Sequence, residues 1–257
     1  MTTAEKLFQH IKRQVGKAIG DFDLIEEGDR VAVGISGGKD SYTLFHILEA
    51  LQKKAPVTFE LIAINIDSGF PGYQSELIEG YLQQQNFNYV MAKTDSYQLI
   101  EEKLRPGSSY CAFCARLRRG ALYVQATKHH CNKIALGHHL DDFIETLLLN
   151  QFYSGTLAAM SAKYLANNGK HIVIRPLVYV EETKIQKFSC LQKFPIAHCV
   201  CPVVGQGDQK RQQMKQLVKQ LARDIPEIRN SMISAIGNVQ HHYLLDQKLT
   251  TAGRTVK

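Results

Sequence analysis

Apolar residues recur along this chain with two periods, and the period switches from segment to segment. Spacings of three and four residues predict a helix over Leu7–Ile19. The run Val31-Ala32-Val33-Gly34-Ile35 after Arg30 is continuous instead, as in a strand buried on both faces, and a helix follows over Tyr42–Leu51. The alternation continues with a strand over Phe59–Ile66 ending at Asp67, a helix over Gln74–Gln85 and a strand over Asn88–Ala92. A polar stretch with Pro106-Gly107-Ser108-Ser109 comes next, then a helix over Arg116–His129, a strand over Lys133–Gly137 and a helix over Asp141–Phe152. Asn167-Asn168-Gly169-Lys170 reads as a hairpin-type turn ahead of the apolar run His171–Arg175. Helices are expected over Glu182–Gln192, Gln209–Arg223 and Pro226–Tyr243. Strands alternating with helices of about a dozen residues mean βαβ units and a parallel sheet. Ligands of such sheets sit beyond the carboxyl ends of the strands, where Ser36–Ser41, Asp67 and Gly137 all fall.

Composition narrows the function classes. The 257 residues suit one large domain or one domain with appendages, with no internal repeat and no low-complexity linker. The apolar fraction of 44% is that of a globular protein, and no stretch approaches the roughly 18 apolar residues of a membrane span. Met1-Thr2-Thr3-Ala4-Glu5-Lys6 lacks the apolar core of a signal peptide, so a cytoplasmic location is expected. The net charge of +7 favours an anionic partner, nucleic acid first. Six cysteines in such a compartment are poor disulfide candidates. Cys111 and Cys114 form C-x-x-C, Cys199 and Cys201 form C-x-C, and Cys131 and Cys190 stand alone as expected small buried hydrophobes.

Three stretches carry chemistry. Ser36-Gly37-Gly38-Lys39-Asp40-Ser41 lies between a strand and a helix. Glycines let backbone N–H groups crowd around an anion, the helix N-terminus adds unpaired donors, and a lysine and two hydroxyls complete a polyphosphate pocket. Lys39 is followed by Asp40, so the G-x-x-x-x-G-K-[ST] pattern does not apply. Leu136-Gly137-His138-His139-Leu140-Asp141-Asp142 runs from a strand into a helix. Adjacent carboxylates there suit Mg²⁺ beside a triphosphate, or else an N-cap and a first-turn acid. His138 and His139 diverge as neighbours and are read as packing or positioning groups. Cys111-Ala112-Phe113-Cys114 can be a zinc half-site, a redox pair or part of an iron–sulfur site, and Arg116, Arg118 and Arg119 after it give a basic face.

SGGKDS resembles the PP-loop of the ATP pyrophosphatases. With Cys111-Ala112-Phe113-Cys114-Ala115-Arg116-Leu117-Arg118-Arg119-Gly120, Ile134–His139, Asp141-Asp142, Gly169–Leu177 and Phe194-Pro195-Ile196, residues 1–245 resemble the tRNA 2-thiocytidine synthetases (the TtcA family) of the adenine nucleotide α-hydrolase superfamily. The resemblance implies an α/β, Rossmann-like parallel sheet with flanking helices and helical N- and C-terminal extensions. It also implies residues 1–28 as an N-terminal extension, 29–200 as the PP-loop ATPase domain with the C-x-x-C segment inserted, and 201–257 as a C-terminal helical region. The implied function is ATP-dependent thiolation of cytidine 32 in tRNA, with ATP, Mg²⁺ and a [4Fe-4S] cluster as cofactors. Adenylation of the C2 oxygen makes it a good leaving group, and sulfur held at an open iron of the cluster then reaches C2.

By the same resemblance Ser36, Gly37, Gly38, Lys39, Asp40 and Ser41 surround the phosphates, Ile66 lies near adenine, and Gly137 lines the ribose–phosphate side. Asp142, then Asp141, is the Mg²⁺ or catalytic carboxylate, and Arg118 positions the base or phosphate. Cys111 and Cys114 are cluster ligands, with Cys201 as the third and Cys199 as its alternative. Val204 stands where the family has a further cysteine. tRNA would be bound by Lys6, Lys12, Arg13 and Lys17 and by Lys210, Arg211, Lys215, Lys219 and Arg223. A cysteine desulfurase would supply sulfur, no membrane is involved, and a homodimer is one oligomeric state left open. Other readings are a Cys₄ zinc site from Cys111, Cys114, Cys199 and Cys201 with a persulfide donor, a lysidine synthetase-like tRNA adenylating enzyme, and an ATP-binding carrier that has lost its chemistry.

Overall fold

Each long apolar run becomes a strand of one six-stranded sheet. β1 (Arg30–Gly34), β2 (Glu60–Asp67), β3 (Tyr89–Lys93), β4 (Lys133–Ala135), β5 (Lys163–Leu165) and β6 (Ile172–Ile174) lie in the order β3-β2-β1-β4-β6-β5. The first five strands in that order pair parallel, and β5 joins β6 antiparallel through the turn at Asn168 and Gly169. The computed structural model describes residues 2–105, 107–197, 200 and 209–245. They form two compact units, one from the described residues of Met1–Phe143 and Met160–Gln209 and one from those of Ile144–Ala159 and Lys210–Lys257.

The helices are α1 (Thr3–Asp21), α2 (Lys39–Gln52), α3 (Ser75–Gln84), α4 (Ser96–Lys103), α5 (Tyr110–Lys128), α6 (Leu140–Leu149), α7 (Glu182–Gln192), α8 (Gln209–Asp224) and α9 (Ile228–Gly237). Several differ from the pattern's expectation for local reasons. α1 starts four residues before Leu7 because Thr2 and Glu5 cap each other's backbone N–H groups. α4, which the apolar pattern does not predict, buries only Ser96 and Ile100, too little to show as periodicity. α6 ends at Leu149 in a π-turn, Asn150–Ser154, closed by Gly155 at φ +62°. α9 stops well short of Tyr243.

The pleat sorts the core. Ala32, Ile62, Ile64, Ile66, Ala92 and Ile134 are all even-numbered and form one apolar cluster with Leu122 and Ala126 of α5 and with Cys131. On the other side α1, α2 and α7 pack together, with α2 against β1 and β2. Cys131 is buried, as expected. Cys190 is exposed, because α7 buries Ile185, Phe188 and Ser189 and Cys190 falls on the opposite side of the helix. Among the described residues no helix is long and apolar enough to cross a membrane.

At the amino ends of β1 and β4, Lys133 is 1% exposed, with its Nζ 2.7 Å from Asp29 Oδ2 and 2.6 Å from Glu26 Oε2. Asn132 Nδ2 donates to Asp29 Oδ1 at 2.7 Å, and Asn132 Oδ1 accepts from Arg30 N at 2.8 Å. This network locks the two central strands together at the end opposite their ligand-facing termini. Lys133→Met should leave Asp29 buried without its cation and cost about 3 kcal/mol, read as a lower urea midpoint at unchanged slope.

Candidate active site at the carboxyl ends of β1 and β4

After β3 the chain returns to the far side of β1, so β1 and β4 flank the point where the strand order reverses. A crevice opens there outside the carboxyl ends of the strands. Two glycine contacts shape it. Gly37 has φ +80°, and a Cβ there would meet Ala197 Cβ at 2.7 Å and Ile78 Cδ1 at 2.8 Å. Its carbonyl accepts from Ala197 N at 3.0 Å. A Cβ on Gly137 would lie 3.1–3.3 Å from the Asp40 and Ser41 backbone and Asp40 Cβ, so the segment after β4 runs directly against the loop after β1.

That loop is tied by its own hydroxyls. Ser36 N donates to Ser41 Oγ (3.2 Å), Gly38 N to Ser36 Oγ (3.3 Å), and Ser41 Oγ to Gly38 O (2.9 Å). The N-cap of α2 is Gly38, which has no side chain to satisfy the first-turn amides. This leaves the arrangement by which helix N-termini receive phosphate. Lys39, Asp40 and Ser41 belong to the first turn of α2, whereas the apolar pattern places the helix start at Tyr42.

Lys39 Nζ lies 3.1 Å from Asp40 Oδ1 and 3.2 Å from Glu182 Oε1. Burial works against its charge, but Asp40 and then Glu182 outweigh that and raise its pKa above the ordinary lysine value. Glu182, at the start of α7, reads in the sequence only as a helix start, and nothing local marks it as a partner of Lys39. Asp141 Oδ2 accepts from Glu182 N at 2.7 Å, so this carboxylate caps a helix 41 residues away. Asp142 Oδ2 accepts from His139 N at 2.9 Å, closing the first turn of α6. Both carboxylates thus stand on the Lys39 side of the crevice, each with a structural bond.

The other side is a cavity of about 270 Å³ lined by Gly34, Ile35, Ser36, Ile64, Ile66, Ala115, Arg118, Arg119, Leu122, Leu136 and His138. Ile64, Ile66, Leu122 and Leu136 make apolar walls suited to a purine, and Ser36, Arg118, Arg119 and His138 make the polar part. Asn65 is fully buried on β2, and its Nδ2 donates to Ile35 O at 2.7 Å, fixing the carbonyl just before Ser36. An asparagine inside an apolar strand is the available signal for this role.

α5 begins at Tyr110, so the C-x-x-C lies within the helix and not ahead of it. Ser109 is its N-cap, and its Oγ accepts from Ala112 N at 3.3 Å. Cys111 is exposed and Cys114 partly buried. The positive end of a helix favours the negative charge that metal-bound thiolates carry. Cys111, Cys114, Arg118 and Leu122 follow one helical stripe, so a single element carries the thiol pair and a wall of the cavity. Cys201 and Cys199 lie outside the described residues, and among the described residues no three His, Cys, Asp or Glu side chains are grouped to hold a metal.

The family model for the PP-loop domain matches residues 7–198. A tRNA-cytidine(32) 2-sulfurtransferase from Syntrophotalea carbinolica is 60% identical over 249 residues, covering 97% of this chain and 96% of the relative. This chain belongs to the tRNA-cytidine(32) 2-sulfurtransferase family. It is therefore an enzyme, a sulfurtransferase built on a PP-loop domain. A member from Geobacter metallireducens is 56% identical over 245 residues, 95% of each chain. The fold is shared with the U34-tRNA thiolase NcsA from Methanococcus maripaludis, solved with its [4Fe-4S] cluster. That match has a TM-score of 0.74 at 20% identity and covers 98% of this chain and 89% of the thiolase.

Replacing Gly37 by alanine forces an L-residue into left-handed backbone, at about 1–2 kcal/mol, and drives a methyl into Ala197. The Gly37→Ala chain should bind a fluorescent ATP analogue at least about tenfold more weakly, measured by titration at equal folded concentration.

Proposed function

We propose that this sulfurtransferase converts cytidine 32 of tRNA to 2-thiocytidine by adenylating the base oxygen and then exchanging it for sulfur. The observation that carries the reading is α5. Cys114 and Arg118 are four residues apart on one face, roughly 6 Å along the axis, so the thiol pair and the nucleotide cavity are held in one register.

The chain's own groups divide the work. Gly37, Gly38, Ser36, Ser41 and the first turn of α2 cradle the β- and γ-phosphates, and Lys39 exchanges its carboxylate partners for them. Ile64, Ile66, Leu122 and Leu136 take the adenine. The C2 oxygen of the cytidine attacks the α-phosphorus and pyrophosphate leaves with the electron pair of the broken P–O bond. A sulfide nucleophile then adds at C2, the C2–O bond breaks, AMP departs, and the sulfur's proton is lost to solvent. Arg118 and Arg119 face the negative charge that moves through the cavity in both steps. Asp142 is the carboxylate assigned to Mg²⁺, with Asp141 second, and Glu182 stands close enough to Lys39 to join them.

The thiol pair fits a thiolate-bound metal group. Cys111 and Cys114 share one helical turn, the first exposed and the second partly buried, Cys131 is sealed in the apolar cluster, and Cys190 sits on α7. Cys111, Cys114 and Cys201 would hold a [4Fe-4S] cluster, which supplies the carrier for the incoming sulfur when bound. A cysteine desulfurase is the proposed sulfur source. Chain purified without oxygen should carry about four irons and four sulfides. Cys111→Ala, Cys114→Ala and Cys201→Ala should each abolish cluster and thiolation, whereas Cys131→Ala and Cys190→Ala should keep both. One zinc and no iron would replace the cluster reading by the Cys₄ one.

The tRNA surface is supported by basic hollows. One of about 640 Å³ on α1 is lined by Lys6, His10, Lys12 and Arg13 among others. His10 there has its pKa lowered by burial first, then by Lys184 and Arg13. A second, of about 540 Å³, is lined by Lys103, Arg105 and Arg116 with Ser108 and Ser109 beside the cysteine turn. Of the other basic residues expected to meet tRNA, Lys17 pairs with Asp21 at 3.1 Å and Arg211 with Glu145 at 3.1 Å, while Lys210 stands over the Tyr153 ring at 4.5 Å. Replacing Lys6 and Arg13 by alanine should weaken binding of all tRNAs alike. It should also make the slope of log affinity against log salt shallower by about 1 for each phosphate no longer neutralised, as measured by filter binding.

A further inference from the structure

In the unit that holds Ile144–Ala159 and α8, the apolar line of α6 ends in a distortion. Ile144 and Leu148 are buried, one turn apart. An uninterrupted α-helix would carry that line on to Phe152, four residues beyond Leu148. The π-turn Asn150–Ser154 breaks it, and Phe152 is 58% exposed, with Tyr153 beside it at 46%. A single exposed apolar residue needs no explanation, whereas two adjacent rings on a widened turn do.

The turn is held in shape. Asn150 Nδ2 donates to Ala158 O at 2.7 Å, Thr156 N donates to Asn150 O at 3.0 Å, and Gly155 closes the turn in left-handed backbone. Tyr153 is fixed as well. Its hydroxyl donates to Gln213 Oε1 at 2.8 Å, and Lys210 Nζ stands 4.5 Å from the centre of its ring. Both partners lie on α8. A ring with a cation over one face and a tied hydroxyl keeps one orientation, so little freedom is left to lose on binding. The surrounding charge names the partner. α8 carries Lys210, Arg211, Lys215, Lys219 and Arg223 and no acid before Asp224. It buries Met214 and Val218, whereas Lys210, Lys219 and Arg223 are exposed. Exposed rings among cations suit single-stranded nucleic acid, whose phosphates meet the cations while unpaired bases stack on the rings. A second copy of this chain, itself at +7, would set cations against cations across a two-fold contact.

We propose that Phe152 and Tyr153 form a stacking platform for unpaired bases of the tRNA, with Lys210, Lys219 and Arg223 on the flanking phosphates. This rests on tRNA as the substrate, and not on the adenylation step or the sulfur carrier. Lys210 covers one face of the Tyr153 ring, so a base stacks on the opposite face or on Phe152. Recognition of this kind tolerates any base, because every base has a π-face. It selects an open loop over a paired stem, and not one sequence over another.

The test is filter binding of the full-length chain, without ATP, to two probes at one salt concentration: an unmodified tRNA and a fully paired RNA duplex. Phe152→Ala and Tyr153→Ala should each bind the tRNA about tenfold more weakly and the duplex within about twofold of the wild-type chain. Phe152→Leu keeps the apolar bulk but no ring and should stay weak, whereas Phe152→Tyr restores the ring and should recover. The slope of log affinity against log salt on tRNA should be unchanged in Phe152→Ala and shallower by about 1 in Lys210→Ala.

Affinities for tRNA within about twofold of wild type in both alanine variants, equal losses on tRNA and duplex, or full recovery in Phe152→Leu each overturn the platform. A wild-type dimer that Phe152→Ala splits in sedimentation, with tRNA affinity unchanged, overturns it in favour of a contact between copies. If the wild-type chain itself does not bind the tRNA, the tRNA reading fails and takes the platform with it. If the wild-type chain binds and the variants match it, the platform alone fails.

Discussion

Everything at this site depends on two polypeptide segments approaching more closely than side chains permit. Gly137 presses the chain after β4 onto the backbone of Asp40 and Ser41, and Gly37 presses the phosphate loop onto Ala197 and Ile78. With no Cβ in the way, the end of β4 and the start of α2 share one crevice. The loop after β1, the Asp141–Glu182 link and His138 therefore converge although they come from three separate stretches of sequence. The Lys133 network at the far end of the same two strands holds them in register, so the crevice opens between strands fixed at their base.

The electrostatics of the crevice are divided by side. Around Lys39 stand Asp40, Glu182, Asp141 and Asp142, with His139 among them. Around the cavity stand Arg118, Arg119 and His138, and the buried Arg175 donates to His138. A triphosphate carrying a divalent cation suits the first environment, and a base undergoing exchange of an anionic leaving group suits the second. α5 then joins the second environment to the cysteine turn, so one helix carries both the thiol pair and a wall of the cavity.

Much of this is legible in the chain. Continuous apolar runs mark the parallel strands, and even-numbered residues on β1, β2 and β4 sort to one face as a pleat requires. Glycine, lysine and serine between a strand and a helix mark the phosphate loop. Local signals mislead where two rules overlap. Lys39–Ser41 look like the end of a turn but form the first turn of α2. Ser109 is an available N-cap signal, yet the polar stretch around it hides the start of α5. The short edge strand β5 and the sparsely buried α4 carry too few apolar positions to stand out. What cannot be read locally is pairing across distance. The Asp141 carboxylate caps a helix 41 residues on, Lys39 finds Glu182, and Arg175 finds His138 across 37 residues. Such partners are set by strand order, not by spacing.

The stripe on α5 behaves as a ruler with a fixed number of marks. Between Cys114 and Leu122 the helix makes a little over two turns, and each inserted or deleted residue would rotate everything beyond it by about 100°. The side chains between the marks, Ala115 and Arg119 on the cavity among them, keep their places only while the count between the marks is kept. A change of length by one residue would keep every side chain of the stripe and still turn the thiols away from the face that lines the cavity. The segment is thus intolerant of insertion, the reverse of what is expected of the loops that surround most binding sites.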